Sequence, residues 1–428
     1  MKRKALWISI IGILLIGFVC LFCYRHYIRQ KQIEQKKHTG LVSEDFPIQD
    51  IKHQSKNIYE DAYQTEADNQ LQNMRNNNSY TIEDPLLVWN PYGTNTGSFY
   101  YYGVSEQDSY VVCEVTCNNG SVIKHRLKND SDSGVTKTHE YLITGLAPGL
   151  ENHFSLAFYD AGNNLIHTYQ YTVTLKKDKQ IPAITKVEKG NSKSSLTDGL
   201  FAVLGHDKSK AKNIYYYDNN GICRGKTTLN DYRTDRILTI DGKLVYSYSL
   251  TDIAFVNRLG KVEKTLSLGK YELHHDFMYD EKRNELLCLV NDTDKDTIED
   301  VLISVNIETG KIKKLVDFEK MMKSMRKRSV QRKGGKNTYG GTELDWLHLN
   351  SLDMINDKDA VFSSREESVI IKINNIYENP SIDYLIHSGS LYKGTKYEKL
   401  LLKQKGNFVG HAGQHTITVE HDASLPNG

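Results

Sequence analysis

Proline is scarce in this chain, with 7 in 428 residues, and cysteine is scarcer still at 6. So little proline argues against a proline-rich linker or a collagen-like array. The cysteines show no zinc-ligand spacing, which removes a cysteine-based structural metal. Cys113 and Cys117 in "VVCEVTC" could bridge across a local irregularity, but along a straight strand they are too far apart for a disulfide. A surplus of one charge is also missing: 55 Lys and Arg stand against 53 Asp and Glu, a net of +2. Nothing in that balance favours a nucleic-acid partner. Long apolar runs are absent except for one, "ALWISIIGILLIGFVCLFCY", which follows Lys2, Arg3 and Lys4. It is long enough to cross a bilayer as a helix and shows no small-residue cleavage signal. Residues 1–30 are therefore expected to be a cytoplasmic tip and signal anchor. The localisation expected is a single-pass membrane protein with an extracellular body.

What the sequence does hold is tyrosine, 27 of them, with many short runs rich in Val, Ile and Thr. This composition predicts an all-β protein. Residues 31–80 are polar and read as a partly helical or disordered stalk. Residues 81–177 give short strands such as "SFYYYGV", "YVVCEVTC" and "HFSLAFYD" between turn residues, the pattern of a β-sandwich. The stretch "YLITGLAPGLENHFSLAFYDAGN" is similar to the corner of a fibronectin type III domain, with Asn152 where tyrosine is usual. From residue 178 to 428 a strand–turn–strand unit recurs, with turn glycines Gly221, Gly260 and Gly310. With the strand pairs between them, a repeat of about forty to fifty residues predicts propeller blades of four strands. "VIIKINNIYENPSIDYLIHSG" opens a further outer pair without the glycine. A run holding eight Lys and Arg from Lys320 to Lys336 interrupts the rhythm; it is expected to start as a short helix and reads as a solvated loop or an electropositive lip.

Three segments place histidine where an innermost blade strand should begin: "ELHHDFMYD", "DWLHLNSLD" and "GHAGQHTITVE". Inner strands line a central funnel, so His275 (or His274), His348 and His415 should converge. Arg365, in "SSREESVIIKIN", lies on the strand paired with that of His348. Asn350 is expected on the same strand face as His348. Three imidazoles and a guanidinium suit an oxyanion.

"HHDF", "DWLHLNS", "SSREESVIIKI" and "GQHTITV", in this order, resemble the bacterial arylsulfate sulfotransferase family. The resemblance spans about residues 81 to 428. It implies a six-bladed propeller behind an N-terminal β-domain. It also implies transfer of a sulfuryl group from a phenolic sulfate ester to another phenol, independent of a nucleotide donor, by a ping-pong route. By match to the last motif His415 is the nucleophile and carries a transient sulfohistidine. Arg365 grips the sulfuryl oxygens, and His348 or His275 moves the phenol proton. His274 and Asn350 contact substrate. No cofactor and no metal are required, and the partners are a small aryl sulfate and a phenolic acceptor. The sequence is compatible with a homodimer.

The family has six blades, while the sequence stops soon after His415, so the chain reads as a C-terminally truncated member. Two other functions fit the same residues. A non-catalytic cell-surface binding propeller would not need the histidines, and a metal-dependent hydrolase would recruit Asp276 and Asp345 beside them.

Overall fold

The computed structural model describes residues 48–420 except 119, 132, 182–187, 189, 192–198, 205–211, 231–233, 331–334 and 338–339, together with Tyr24, Arg25 and Tyr27. The anchor expected over residues 1–30 lies outside the described residues. Among those described, no helix is long and apolar enough to cross a membrane.

The chain forms two compact units. The first holds residues up to Val203 with Ile214–Thr228 and Arg258–Lys261. It begins with helix α1 (Asp61–Asn77). Gln64, Ala67 and Leu71 are its buried positions, and their spacing of three and four puts them on one helical face. Ala67 and Leu71 pack in one cluster with Leu86, Val88, Tyr92 and Tyr100. The polar segment expected to be a stalk thus contributes a helix to this unit's core. Strands β1 (Leu86–Trp89), β2 (Ser98–Cys117), β3 (Ile123–Arg126), β4 (Thr136–Thr144), β5 (Glu151–Tyr159) and β6 (Leu165–Thr174) follow.

The 20-residue strand β2 explains the arrangement. Its first half pairs with β1 and β4, and its second half with β3 and β5. One strand therefore runs through both sheets, unlike the two separate sheets of a fibronectin-type sandwich. Asn152 closes the corner that tyrosine was expected to hold. Its Oδ1 accepts from Ala147 N–H at 2.6 Å, and its Nδ2 donates to the carbonyls of Ala147 and Leu150. Cys113 and Cys117 are buried free thiols. A three-stranded sheet is formed by β7 (Phe201–Val203), β8 (Asn213–Tyr217) and β9 (Cys223–Thr228).

The second unit contains three four-stranded antiparallel sheets. The first runs in order through β10 (Ile237–Ile240), β11 (Lys243–Ser247), β12 (Asp252–Val256) and β13 (Val262–Ser267). The second comprises β14 (Tyr271–Asp280), β15 (Glu285–Asp292), β16 (Val301–Asn306) and β17 (Ile312–Asp317). The third comprises β18 (Leu349–Met354), β19 (Ala360–Ser364), β20 (Val369–Asn374) and β21 (Ser381–Ile386). Each is a meander whose strands pair only with their sequence neighbours, as in a propeller blade. The first strands are adjacent across sheets, with β14 next to both β10 and β18.

Gly310, at φ +69°, makes the turn between β16 and β17. At the equivalent turn between β20 and β21 Asn375 takes the same left-handed conformation at φ +52°, which asparagine tolerates better than most residues. The basic insertion starts as two short helices, α2 (Phe318–Met321) and α3 (Lys323–Arg326). The helical start agrees with expectation, but Phe318, Met322 and Met325 are buried there in a core with Trp346 and Phe362, so this part is packed and not solvated.

The segment 411–420 forms no strand, contrary to expectation. Its backbone instead finds side-chain partners beside β18. Ile417 N–H donates to Ser351 Oγ at 3.2 Å and Val419 N–H to Asp353 Oδ2 at 2.7 Å. Those bonds satisfy single groups without the repeated backbone pairing that defines a ladder.

Candidate functional site

The site is built where two inner strands break their regular pairing. In β14 the register to β15 slips between Leu273 and Phe277. His274, His275 and Asp276 occupy the bulge, and His275 adopts φ +55°. A bulge turns consecutive side chains in directions that a regular strand does not allow. Asp235 Oδ2 accepts the His275 backbone N–H at 3.0 Å, and Asp276 Oδ2 accepts that of Leu352 at 3.0 Å. These bonds tie the bulge to the neighbouring strands.

The pairing of β18 with β19 slips between Leu349 and Ser351, leaving Asn350 in a second bulge. His348 lies just before it at φ +51°. Simple alternation along one strand face, as expected from sequence, is therefore not what positions His348 and Asn350. Trp346 points its indole N–H at Asp300, 2.9 Å away, and is buried.

Between these bulges three imidazoles meet. The Nε2 atoms of His275 and His348 are 3.0 Å apart. The ring of His415 stands edge-on to that of His275, with centroids 4.9 Å apart. One ring nitrogen from each of the three lies within 4.8 Å of the others. His348 is buried, His275 half-buried and His415 exposed.

Two carboxylates stand behind them. Asp345 faces His348 Nδ1 with both oxygens, at 2.9 and 3.0 Å, and Glu299 Oε2 makes a close ion pair with the same nitrogen. Glu299 Oε1 is also 3.5 Å from His275 Nε2. Acceptors on both sides require Nδ1 of His348 to carry a proton. Glu299 itself adopts φ +57°, so three residues of this cluster are held in the left-handed region. Such backbone is uncommon outside glycine and gathers where surrounding structure enforces it.

The environments set the protonation states apart. Burial opposes charge on His348, but the hydrogen bonds from Asp345 and Glu299 prevail and raise its pKa. For His415, burial and then the neighbouring His275, His348 and Arg365 lower the pKa. Burial works against the Glu299 carboxylate too, yet His275 and His348 hold it ionised well below the usual range. His274 is enclosed, and burial drives its pKa down to about 3.

Arg365 lies on the turn after β19, and its backbone N–H donates to the His348 carbonyl at 3.0 Å. Its guanidinium bonds Glu366 at 2.7 and 3.0 Å and approaches Asp345 at 3.6 Å. Asn350 is buried, and its Nδ2 donates to the Gln414 carbonyl at 2.8 Å, next to His415. His274 has a ring nitrogen within 4.8 Å of His275 and Glu299. It also lines a cavity of about 510 Å³ with Asp235, Glu272, Asp292, Lys295 and Glu343.

The structure thus brings His275, His348, His415 and Arg365 to one region, with Asn350 supporting the His415 segment. Sequence reasoning missed Glu299 altogether and weighed Asp345 only as a metal ligand. The available signal was "TIEDVLISVN", two acids directly before an apolar strand. Both are used in the interior: Asp300 accepts from Trp346 and from Lys295 at 2.9 Å.

Comparison with known proteins adds the following. The family model described as arylsulfotransferase matches residues 185–425, a span that contains every residue of the cluster. No curated protein matches the chain. Similar solved structures include BamB from Moraxella catarrhalis, at 12% identity over 67% of this chain and 78% of that one, with a TM-score of 0.25. Hsv2p of Kluyveromyces lactis shows 10% identity over 62% and 72%, with a TM-score of 0.23. A functionally unknown protein from Desulfotomaculum acetoxidans shows 9% over 66% and 81%, with a TM-score of 0.27. Scores this low carry no argument.

Proposed function

The chain belongs to the arylsulfotransferase family, and on that premise we propose that it moves a sulfuryl group between phenols in two half-reactions through a sulfohistidine at His415. The observation that carries this reading is the convergence of three imidazoles, with ring nitrogens of His275, His348 and His415 within 4.8 Å of one another and Asp345 and Glu299 behind His348. In keeping with that geometry the pKa of His415 is lowered and that of His348 raised, and groups pushed apart in this way can divide the labour of base and acid at one pH.

In the first half-reaction the neutral ring of His415 supplies a lone pair to sulfur, and an N–S bond forms. The S–O bond to the donor phenol breaks, and its electron pair leaves on the phenolate oxygen. That oxygen takes a proton from His348, directly or through His275 at 3.0 Å. Asp345 and Glu299 keep His348 oriented and stabilise its charged form. Arg365 offers its planar fork to the sulfuryl oxygens once released from Glu366. In the second half-reaction the acceptor phenol attacks sulfur and gives its proton back to His348. The N–S electron pair returns to His415. Donor and acceptor are small aryl molecules, and Asn350 steadies the segment that carries the nucleophile. The apolar run after Lys4 supports placing this reaction outside a membrane to which the chain is anchored.

The test is intact mass after brief exposure to an aryl sulfate without acceptor, under conditions that spare N–S bonds. Wild type gains one sulfuryl group and His415→Ala gains none, while an added phenol removes the adduct. An adduct that survives in His415→Ala, or none in wild type, defeats the reading.

A further inference from the structure

We propose that His275, His348 and His415 also form a site for one divalent transition-metal ion of the zinc or cobalt type, and that an ion bound there blocks sulfuryl transfer. The first support is spacing. Two imidazole nitrogens on a tetrahedral zinc, with bonds of about 2.0–2.1 Å, stand roughly 3.3 Å apart. The facing Nε2 atoms of His275 and His348 are 3.0 Å apart, so a small outward shift admits an ion. A ring nitrogen of His415 lies within 4.8 Å of both. It belongs to an exposed residue on a segment outside the sheets, which can move to complete the set.

The second support is the arrangement behind the rings. Metal-bound histidines commonly give their other ring N–H to a carboxylate, which fixes the tautomer and strengthens the ligand. Asp345 and Glu299 do this for Nδ1 of His348 and leave its Nε2 facing inward. Charge is the third. The Glu299 and Asp345 side chains are 0% and 1% exposed, and two carboxylates enclosed beside the rings favour a cation. Arg365 is the opposing charge, and Glu366 engages it from the solvent side. An all-imidazole set selects zinc, cobalt, nickel or copper over magnesium and calcium, which prefer oxygen ligands. The fourth position is left for water or Glu299 Oε1, 3.5 Å from His275 Nε2.

Binding does not depend on the transferase reading. The block does: an ion on these nitrogens occupies the lone pairs that would receive sulfur and protons. The experiment uses the full chain, stripped with EDTA and titrated with CoCl2. One equivalent should give the visible absorption of tetrahedral Co(II), and Zn²⁺ should displace it. His415→Ala should abolish the band. Glu299→Gln, which keeps all three imidazoles, should weaken binding by about 10- to 100-fold.

No band in wild type, or an unchanged band in both His415→Ala and His348→Gln, overturns the site. The same samples are assayed for aryl sulfate transfer, where one equivalent of Zn²⁺ should stop turnover and EDTA restore it. Transfer that rises with Zn²⁺ overturns the block, and the metal-free route with it. A cobalt band in protein that transfers nothing under any condition sustains the site and defeats the transferase reading. Intact transfer with no band does the reverse.

Discussion

Each unit encloses a group of charged side chains, and the two groups differ in how completely they are satisfied. In the first unit Arg224 and Asp218 are wholly buried. Arg224 donates to Asp218 at 2.7 Å and to the carbonyls of Gly145 and Ser121, both at 2.6 Å. Asp218 accepts from the backbone N–H groups of Ser121, Asn220 and Ile222. One positive charge meets one negative charge, with each oriented by backbone bonds. In the second unit Glu299 and Asp345 crowd a single nitrogen of His348. Asn350 Oδ1 is buried there without a hydrogen-bond partner. The saturated pair fastens strands together. The cluster with surplus charge and an unused acceptor is equipped to exchange protons and take a ligand.

Substitutions should separate these roles. The largest effect is expected for His415→Ala, which should cut transfer on the order of 10⁴-fold or more, as loss of a nucleophile does. Thermal melting should be nearly unchanged, because the side chain is exposed. If melting falls with activity, the segment is structural and the contrast weakens.

Arg224→Ala comes next. It should destabilise the first unit by about 3–5 kcal/mol, because the Asp218 charge is left buried and unpaired, as read in denaturant titration. His348→Gln should lower kcat/KM by about 10²- to 10⁴-fold and change the pH profile. Wild-type kcat/KM should rise with pH as His415, whose pKa is lowered by burial and its neighbours, loses its proton below the ordinary imidazole range. It should fall again at higher pH as His348, whose pKa is raised, loses its own. The variant should keep the acid limb and lose the alkaline one. The smallest effect is expected for Asn350→Ala. Removing one hydrogen bond to Gln414 should cost about 1 kcal/mol and raise KM for the donor more than it lowers kcat.

How much of this was legible depends on range. The blade hairpins were legible because Gly260 and Gly310 mark turns that need positive φ, and both turn at φ +84° and +69°. The convergence of His275, His348 and His415 could be anticipated from four short motifs in order. Glu299 could not, because its place depends on a left-handed backbone and on strands distant in sequence. The strand expected around "HTITV" failed for a related reason: apolar alternation describes a strand's faces but supplies no edge to pair with. Helical character within residues 31–80 was legible, but the polar composition pointed to a stalk and hid the packed face made by Gln64, Ala67 and Leu71.

The manner in which residues 411–420 are held also bears on proteolysis. His275 sits in the bulge of β14, and His348, directly before β18, is bonded through its carbonyl to the Arg365 backbone N–H, so both are carried by the sheets. His415 follows a stretch in which Phe408 is 61% and Val409 97% exposed. Backbone so accessible is where proteases cut first. A single nick near Phe408 should therefore detach the nucleophile's tether and silence the enzyme while the sheets keep their circular-dichroism spectrum. Resistance to such a nick would report how firmly substrate or metal draws that arm against β18.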